Sequence, residues 1–157
     1  MKLFIAEKPS LARAIATGIG VGKNFDGYIS LNGGNEIVTW CYGHILEQLN
    51  PSEYAEKYQK WRMEDLPIIP IEWKLKVKFD AAKQFKIVCD LVGKATTIVN
   101  AGDPDREGQL LVDEVLDYLP ENQFGDAKEI LEHLKNLPDK NFSVYHAIIP
   151  TRIKADF

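Results

Sequence analysis

Two short apolar runs, each followed by an acidic residue and then by a helical pattern, constrain the fold of this sequence most strongly. Lys2–Ala6 is followed by Glu7, and residues 96–101 are followed by Gly102 and Asp103. Runs of this length are typical of buried strands, and strands that alternate with helices are typical of a parallel sheet. The pattern therefore predicts an α/β domain in which a mainly parallel sheet is flanked by helices.

The spacing of apolar residues predicts the helices that flank this sheet. Pro9 stands where a helix begins, and residues 80–93 carry apolar side chains with a helical period. A third helix is predicted after Asp105, and a fourth over residues 126–137. The residues expected on the buried face of the third helix are Leu110, Leu111, Val115, Leu116 and Leu119.

Between these segments the sequence predicts loops and a hairpin. The glycine-rich residues 18–22 follow the first helix, so we interpret them as a helix stop and a loop, not as a dinucleotide-binding turn. Tyr28–Leu31 and residues 36–41 flank Asn and Gly residues that tolerate positive φ, which predicts a β-hairpin. Residues 50–71 have no regular period and are predicted to form an ordered surface excursion.

Size and composition indicate one compact domain with a tail. The chain has 157 residues, of which 45% are hydrophobic, and we predict a domain over residues 1–137 and a tail over residues 138–157. An apolar run of about eighteen residues is absent, and charge interrupts the first residues too early for a signal peptide. These features predict a cytoplasmic protein without a membrane segment.

Charge and cysteine content argue against two kinds of protein. The net charge of −4 disfavours a protein that wraps duplex DNA by bulk charge, so any contact with nucleic acid must be local or metal-mediated. Cys41 and Cys89 lack the paired spacing of a zinc site. We therefore expect two reduced, buried thiols and no zinc.

Acidic residues follow both predicted parallel strands at their carboxyl ends. Glu7 follows the first strand, and Asp103, Asp105 and Glu107 follow the second. Open α/β sheets bind ligands at this edge. Carboxylates this close repel one another unless a cation lies among them, and an oxygen-only set suits Mg²⁺ better than zinc. The sequence thus predicts a Mg²⁺ site formed by these four residues.

Basic residues beside the acidic cluster complete a predicted phosphate site. Lys8 and Arg106 each neighbour a cluster carboxylate, and the helix after Asp105 begins with free backbone amides that favour an anion. A metal ion among the carboxylates would neutralise phosphate oxygens and orient a phosphodiester. Together these groups are expected to hold a nucleic-acid phosphate beside the metal.

A purely structural interpretation of the cluster is the alternative. Asp105 would then cap the helix, and Glu107 would interact favourably with the helix dipole. Two features favour the metal site over this interpretation. Gly102 and Gly108 bracket the cluster where the backbone must approach something closely, and Glu7 arrives at the same edge from another strand.

Four stretches of the chain resemble one family and follow one another in the family's order. They are FIAEKPSLARAIA at residues 4–16, WCYGHILEQLNPSEY at 40–54, KWRMEDLPIIP at 60–70 and AGDPDREGQLLVDEVLDYL at 101–119. This combination is highly specific, and it resembles the N-terminal Toprim domain of bacterial topoisomerase III, a type IA topoisomerase. The resemblance implies a Rossmann-like Toprim fold, Mg²⁺ as the cofactor and single-stranded DNA as a partner that the isolated chain binds weakly.

The resemblance also implies a role for each matching site residue. Glu7 would lie near the scissile phosphate, Lys8 would contact DNA, and Arg106 would contribute to the phosphate environment, so these three are the expected catalytic residues. The expected magnesium ligands are Asp103, Asp105, Glu107 and Glu7.

The chain departs from this family in its tyrosines and in its C-terminal region. The family's nucleophilic tyrosine is followed by proline, whereas none of the six tyrosines here is. The segment YHAIIPT at residues 145–151 resembles one that the family carries much later, with Tyr145 in place of the first histidine and His146 matching the second. The chain therefore looks truncated or internally deleted, His146 is assigned no catalytic role, and we expect no strand cleavage from the chain alone.

Two other functions remain open at this point. One is a free-standing Toprim nuclease in which the metal activates water, and the other is a non-catalytic module that binds DNA or a protein partner. Trp40, Trp61 and Trp73 would stack on bases in a single-strand binder, but their apolar neighbours favour anchors of the core or of loops.

A basic stripe and one histidine are also candidates for contacts with DNA. Lys74, Lys76 and Lys78 alternate with apolar residues, and we expect them to protect an edge strand, with contacts to DNA phosphates as the alternative. His44 is expected to be a structural histidine, with a place beside the acidic site as the alternative.

Overall fold

The computed structural model describes residues 1–60 and 62–122 and the backbone of residues 145–146. Six of its strands form one sheet in the order β2-β3-β4-β1-β7-β8, and β5 and β6 form a separate antiparallel pair. The strands are β1 (Lys2–Ala6), β2 (Gly22–Phe25), β3 (Tyr28–Leu31), β4 (Glu36–Trp40), β5 (Leu46–Gln48), β6 (Leu75–Val77), β7 (Thr97–Ala101) and β8 (Tyr145–His146).

Four α-helices and several single turns of 3-10 helix connect these strands. The α-helices are α1 (Pro9–Ile19), α2 (Pro51–Tyr54), α3 (Ala82–Val92) and α4 (Arg106–Asn122). The 3-10 turns are Asn32–Gly34, Glu56–Gln59, Met63–Asp65 and Phe79–Ala81. The predicted α/β class is confirmed, and the described part of the sheet is mixed: β1, β4, β7 and β8 run parallel, while β2 and β3 add an antiparallel hairpin.

Side chains of the central strands alternate between two cores, one on each face of the sheet. Leu3 and Ile5 of β1 face a core with α3 and α4, where the rings of Phe85 and Tyr118 meet edge to face. On the opposite face, Ala6 packs against α1 in the other core. This period-2 alternation explains why β1 is apolar from Leu3 to Ala6: both faces of this part of the strand are covered.

The register of β1 and β7 brings two distant parts of the chain to one edge. Ala6 lies beside Ala101 in the parallel pair. Both strands end there, so Glu7 and Gly102 leave the sheet side by side. The acidic residues that the sequence placed at two strand ends therefore come to the same edge of the sheet.

A buried amide fixes α3 against the sheet. Gln84 is 5% exposed, and its Nε2 donates hydrogen bonds to the carbonyl oxygens of Gly27 and Trp40 and to Oγ1 of Thr39, at 2.8–3.2 Å. Gly27 has a φ of 82°, and a Cβ there would approach the Gln84 side chain to 2.6 Å. A glycine is needed at this turn both for its backbone angle and for its close contact with the helix.

Most predicted elements are confirmed, with two corrections at the glycine-rich segment. Residues 18–22 are not a single loop, because Gly18 lies within α1 and Gly22 begins β2. Gly22 pairs with Leu31, and a Cβ at Gly22 would overlap the Leu31 side chain. All four residues of this edge strand, GKNF, are exposed. The strand therefore needs no alternation of apolar and polar residues, and its sequence shows none.

The buried face of α4 is rotated slightly from the predicted one. Leu111 and Val115 are buried as expected, but Leu110 is 56% exposed and Val112 is fully buried instead. Each residue of a helix is rotated by about 100° from the one before it, so Leu110 and Val112, two positions apart, point to roughly opposite sides and cannot both face one core. The predicted helix over residues 126–137 lies outside the described residues.

Candidate functional site

Lys8 connects the ends of β1 and β7 at the acidic edge. Its Nζ donates a hydrogen bond of 2.8 Å to Oδ2 of Asp103 and lies 3.9 Å from Oε1 of Glu7. Lys8 is the residue before α1, where many helices carry a side-chain cap, but it makes no such cap. Its ammonium is turned towards two carboxylates instead, and the hydrogen bond to Asp103 raises the pKa of Lys8 above its usual value.

Glu7 and Asp103 form a close acidic pair. Their side chains are 20% and 24% exposed. Burial raises the pKa of Glu7 above its ordinary value, Lys8 opposes this rise, and the neighbouring Asp103 carboxylate adds to it. Two like charges held this close favour a cation between them, a position that the Lys8 ammonium partly fills.

The Asp103 turn is held by backbone packing between two glycines. A Cβ on Gly102 would overlap the carbonyl of Gly108, and a Cβ on Gly108 would approach the backbone of Asp103 to 2.5 Å. The predicted close approach is therefore confirmed, and it is made by the end of β7 against the first turn of α4. Only glycine allows this approach, which fixes the position of the Asp103 backbone relative to the helix.

Asp105 caps α4. Its Oδ1 accepts a hydrogen bond of 2.7 Å from the backbone amide of Gly108, the third residue of the helix. This is the N-cap geometry of the structural interpretation. The capping bond uses one of the two carboxylate oxygens, and the negative charge of Asp105 also contributes to the raised pKa of Lys8, so Asp105 lies close to the acidic pair.

Glu107 faces a histidine at the same edge. His44 Nε2 lies 3.6 Å from Oε1 of Glu107, and the His44 side chain is 46% exposed. The chain after β4 therefore brings His44 beside a cluster carboxylate, which is the position that the alternative interpretation gave it. Arg106, which was expected to contribute to the phosphate environment, is exposed at the first position of α4.

Asn100 supports the acidic turn and was missed by sequence reasoning. It is 4% exposed within β7, and its Nδ2 donates to Oδ1 of Asp113 at 2.8 Å and to the carbonyl of Gln109 at 3.2 Å. Its Oδ1 accepts from the amide of Gly102 at 3.1 Å. A single amide inside the apolar run TIVNA was the available signal, because a buried polar side chain needs partners nearby.

Carboxylate oxygens are suitable ligands for a hard divalent cation. The four predicted ligands, however, do not all lie around one point. Glu7 and Asp103 are adjacent, Asp105 caps a helix, and Glu107 pairs with His44. Within residues 1–60 and 62–122, no three acidic, His or Cys side chains are arranged to hold a metal ion. Glu7 and Asp103 are thus the two positions that fit a cation best, with Asp105 beside them.

The remaining candidate residues lie away from this edge or in the core. Trp40 is buried, as expected for a core anchor, whereas Trp73 is 58% exposed and Trp61 lies outside the described residues. In the basic stripe, Lys76 contacts Glu53 at 2.8 Å and Lys74 lies 3.9 Å from Glu72. Local carboxylates thus neutralise two of these lysines.

The two cysteines are buried free thiols. Cys41 and Cys89 are 0% and 2% exposed, and burial raises the pKa of each thiol to about 12. Such thiols stay protonated at neutral pH and are poor nucleophiles. In the part of the chain that the structure describes, every helix is too short or too polar to cross a membrane.

Known proteins resemble this chain over most of its length. DNA topoisomerase 3 of Vibrio cholerae is 56% identical over 118 residues, which are 74% of this chain and 18% of the relative. The protein of the same name from Haemophilus influenzae is 56% identical over 119 residues, or 75% of this chain and 18% of the relative. The chain thus spans about a fifth of the length of these relatives.

A third relative also matches the C-terminal region. A putative DNA topoisomerase 3 of Staphylococcus aureus is 41% identical over 167 aligned positions, which cover 99% of this chain and 23% of the relative. The match includes residues 145–151. Its 167 aligned positions exceed this chain's own length only slightly, so the relative has no additional domain before the segment that matches them. The wide separation expected for the YHAIIPT segment is therefore not present in that relative.

A family model described as the Toprim domain matches residues 2–148. The match includes both strand ends that meet at Lys8 and Asp103 and the turn that Asp105 caps. Because the model covers well over half of its residues, the chain belongs to the Toprim domain family.

Proposed function

We propose that this chain is the Mg²⁺-binding Toprim part of a topoisomerase III-like enzyme and that it holds phosphates of single-stranded DNA during strand cleavage and religation. The similarity to proteins named DNA topoisomerase 3 supports the reaction class. We place this activity in the cytoplasm. In this proposal the chain supplies the metal and phosphate site, and the attacking tyrosine comes from elsewhere.

The observation that carries the proposal is the contact between Lys8 and Asp103. These residues are 95 positions apart in the sequence, yet the ends of β1 and β7 bring them to 2.8 Å. A site assembled from two strand ends is what ligand binding at the carboxyl edge of a parallel sheet requires. The ammonium and carboxylates together provide one group for a phosphate and a set of oxygen donors for a cation.

Glu7 and Asp103 would hold the Mg²⁺ ion. Asp105 would contribute its second carboxylate oxygen, the one that does not cap α4. The metal would supply charge neutralisation at the phosphodiester, which favours both cleavage and religation. Lys8 would bind a phosphate oxygen and keep it beside the carboxylates. The exposed Arg106 and the first amides of α4 would add positive potential for the same anion.

The alternatives are distinguished by the products formed from DNA. We expect the chain, with Mg²⁺ and a labelled single-stranded oligonucleotide, to bind without cutting, because no tyrosine matches the family's nucleophile. Hydrolysed oligonucleotide would support a metal-dependent nuclease instead. A covalent protein–DNA adduct or relaxation of supercoiled plasmid would contradict the claim that the nucleophile is missing.

Substitutions at the edge test whether binding uses the acidic site. Asp103→Asn and Lys8→Ala should each weaken Mg²⁺-dependent binding of the oligonucleotide at least about tenfold, because each removes a charge at the phosphate or at the metal. Asp90→Asn, on the exposed side of α3, is the matched control and should bind as the unmodified chain does. Binding that survives loss of both Asp103 and Asp105 would indicate a non-catalytic module.

A further inference from the structure

We propose that Tyr42 and Lys83 form a nucleotide subsite beside the acidic edge, with Tyr42 stacking on a base and Lys83 facing the adjoining phosphate. This inference rests on the proposed function, since it assumes that single-stranded nucleic acid lies along the edge. It adds a contact to a base next to the phosphate contacts of Lys8 and Asp103.

The backbone holds Tyr42 at the edge in an unfavourable conformation. Tyr42 has a φ of 53° and Gly43 has a φ of 76°, so two successive residues adopt left-handed angles. For a residue with a side chain this conformation costs about 1 kcal/mol or more. Hydrogen bonds from Cys41 to Ala6 and from Gly43 to the Glu7 carbonyl, at 3.0 and 2.9 Å, hold the turn against the end of β1.

The Tyr42 ring is exposed but supported. It is 61% exposed, and its centroid lies 6.2 Å from that of Trp40 with an angle of 82° between the rings. Trp40 is 8% exposed and belongs to the core on the α1 side of the sheet. An aromatic ring that is fixed at its base yet open to solvent can stack on a nucleobase with little loss of side-chain freedom.

Trp40 carries an unused donor at the same place. Its Nε1 is buried and has no hydrogen-bond partner within residues 1–60 and 62–122. An unpaired buried donor costs free energy, and buried indole groups usually find an acceptor. The end of β4 therefore combines an exposed ring with an unpaired donor beneath it.

Lys83 supplies positive charge next to Tyr42. Lys83 precedes Gln84, whose amide donates to the Trp40 carbonyl at 2.8 Å, so α3 brings this lysine to the end of β4. Its ammonium lies 2.6 Å from Oδ2 of Asp26, and its side chain is 76% exposed. An ion pair this exposed contributes little stability, so a phosphate can compete for the lysine. Surfaces that bind single strands typically combine aromatic side chains with cationic ones.

The test combines three substitutions, two at Tyr42 and one at Lys83, with a change in the DNA. Anisotropy of a labelled single-stranded oligonucleotide is measured with Mg²⁺ for the unmodified chain, Tyr42→Ala and Tyr42→Phe, each shown to be folded by circular dichroism. Tyr42→Ala should weaken binding about tenfold, as loss of one stacked base does, and Tyr42→Phe should bind normally. Lys83→Gln should lower the salt dependence of binding by roughly one phosphate contact.

Abasic positions in the oligonucleotide test the same contact without any variant. One abasic position should weaken binding to the unmodified chain and remove the difference between it and Tyr42→Ala. If the unmodified chain binds and Asp103→Asn weakens binding, but neither the abasic positions nor Tyr42→Ala has an effect, the subsite is refuted and the proposed function stands. If the unmodified chain does not bind the oligonucleotide at all, both proposals are refuted.

Discussion

At the scale of single residues, the helix cap formed by Asp105 is compatible with the metal role proposed for it. Its Oδ1 caps α4 through the amide of Gly108, while its charge lies near Lys8 at the acidic edge. Capping needs only an oxygen acceptor, whereas a Mg²⁺ site depends strongly on ligand charge. The structural and the functional interpretation of this aspartate are therefore compatible.

Substitutions at Asp105 should separate the two roles. Asp105→Ala should lower the free energy of unfolding by about 1 kcal/mol through loss of the cap, whereas Asp105→Asn should preserve stability because Asn also caps helices. Both should weaken Mg²⁺ binding, since both remove the charge. Urea denaturation and Mg²⁺ titration of the two variants provide the measurements, and equal Mg²⁺ affinity in Asp105→Asn and the unmodified chain would refute the metal role.

The position of a site residue could be predicted where the residue directly follows a recognisable strand. Glu7 and Asp103 follow apolar strands, so their edge could be derived from the strand order alone. His44 could not be placed, because its contact with Glu107 depends on the path of the chain after β4. The same holds for Tyr42, whose left-handed backbone has no signature in the sequence beyond the glycine that follows it.

At the scale of elements, the buried side-chain amide of Gln84 holds α3 against the sheet. Gln84 reaches three acceptors on the Gly27 turn and on β4, and no apolar side chain of similar size can replace these bonds. The Trp40 carbonyl that it contacts lies at the end of β4, directly before the Tyr42 turn. The position of that turn thus depends on how α3 is held.

Replacing this amide should destabilise the domain. Gln84→Leu should lower the free energy of unfolding by about 1–3 kcal/mol, because buried acceptors lose their donor. Lys86→Gln, an exposed change on the same helix, is the control and should have little effect. Urea denaturation followed by circular dichroism measures both, and a Gln84→Leu variant as stable as the control would contradict this role.

Element types were predicted best where burial is strongest. The spacing of apolar residues indicates one type of element for each of four segments, which are β1, β7, α1 and α3. Their bounds agree with the sequence pattern to within a few residues. β2 was missed because an exposed edge strand needs no apolar alternation, only a neighbour with which to pair. Leu110 was placed wrongly because the apolar stripe of α4 is wider than the surface that the core covers.

At the scale of the whole molecule, charge determines how the domain can bind nucleic acid. The chain carries a net charge of −4, so a phosphate approaching it meets net repulsion except where cations are concentrated. Lys8 and a bound Mg²⁺ ion would reverse the sign of the potential at one edge. Under the proposed function, binding should therefore be local and metal-dependent.

The matched region is about a fifth of the relatives' length. Its family could be predicted from four stretches in order, and the match over residues 2–148 confirms it. The division at residues 137 and 138 stays a prediction. None of the six tyrosines of this sequence is followed by proline, so none matches the nucleophile that the resemblance implies.

The central claim is that the carboxylates at the ends of β1 and β7 bind Mg²⁺. Isothermal titration of Mg²⁺ into the unmodified chain, Glu7→Gln, Asp103→Asn and the control Asp90→Asn tests it most directly. We expect a saturable site that Asp90→Asn retains and that Glu7→Gln and Asp103→Asn each weaken at least about tenfold. Equal Mg²⁺ binding by all four folded proteins, or no saturable binding by the unmodified chain, would contradict it.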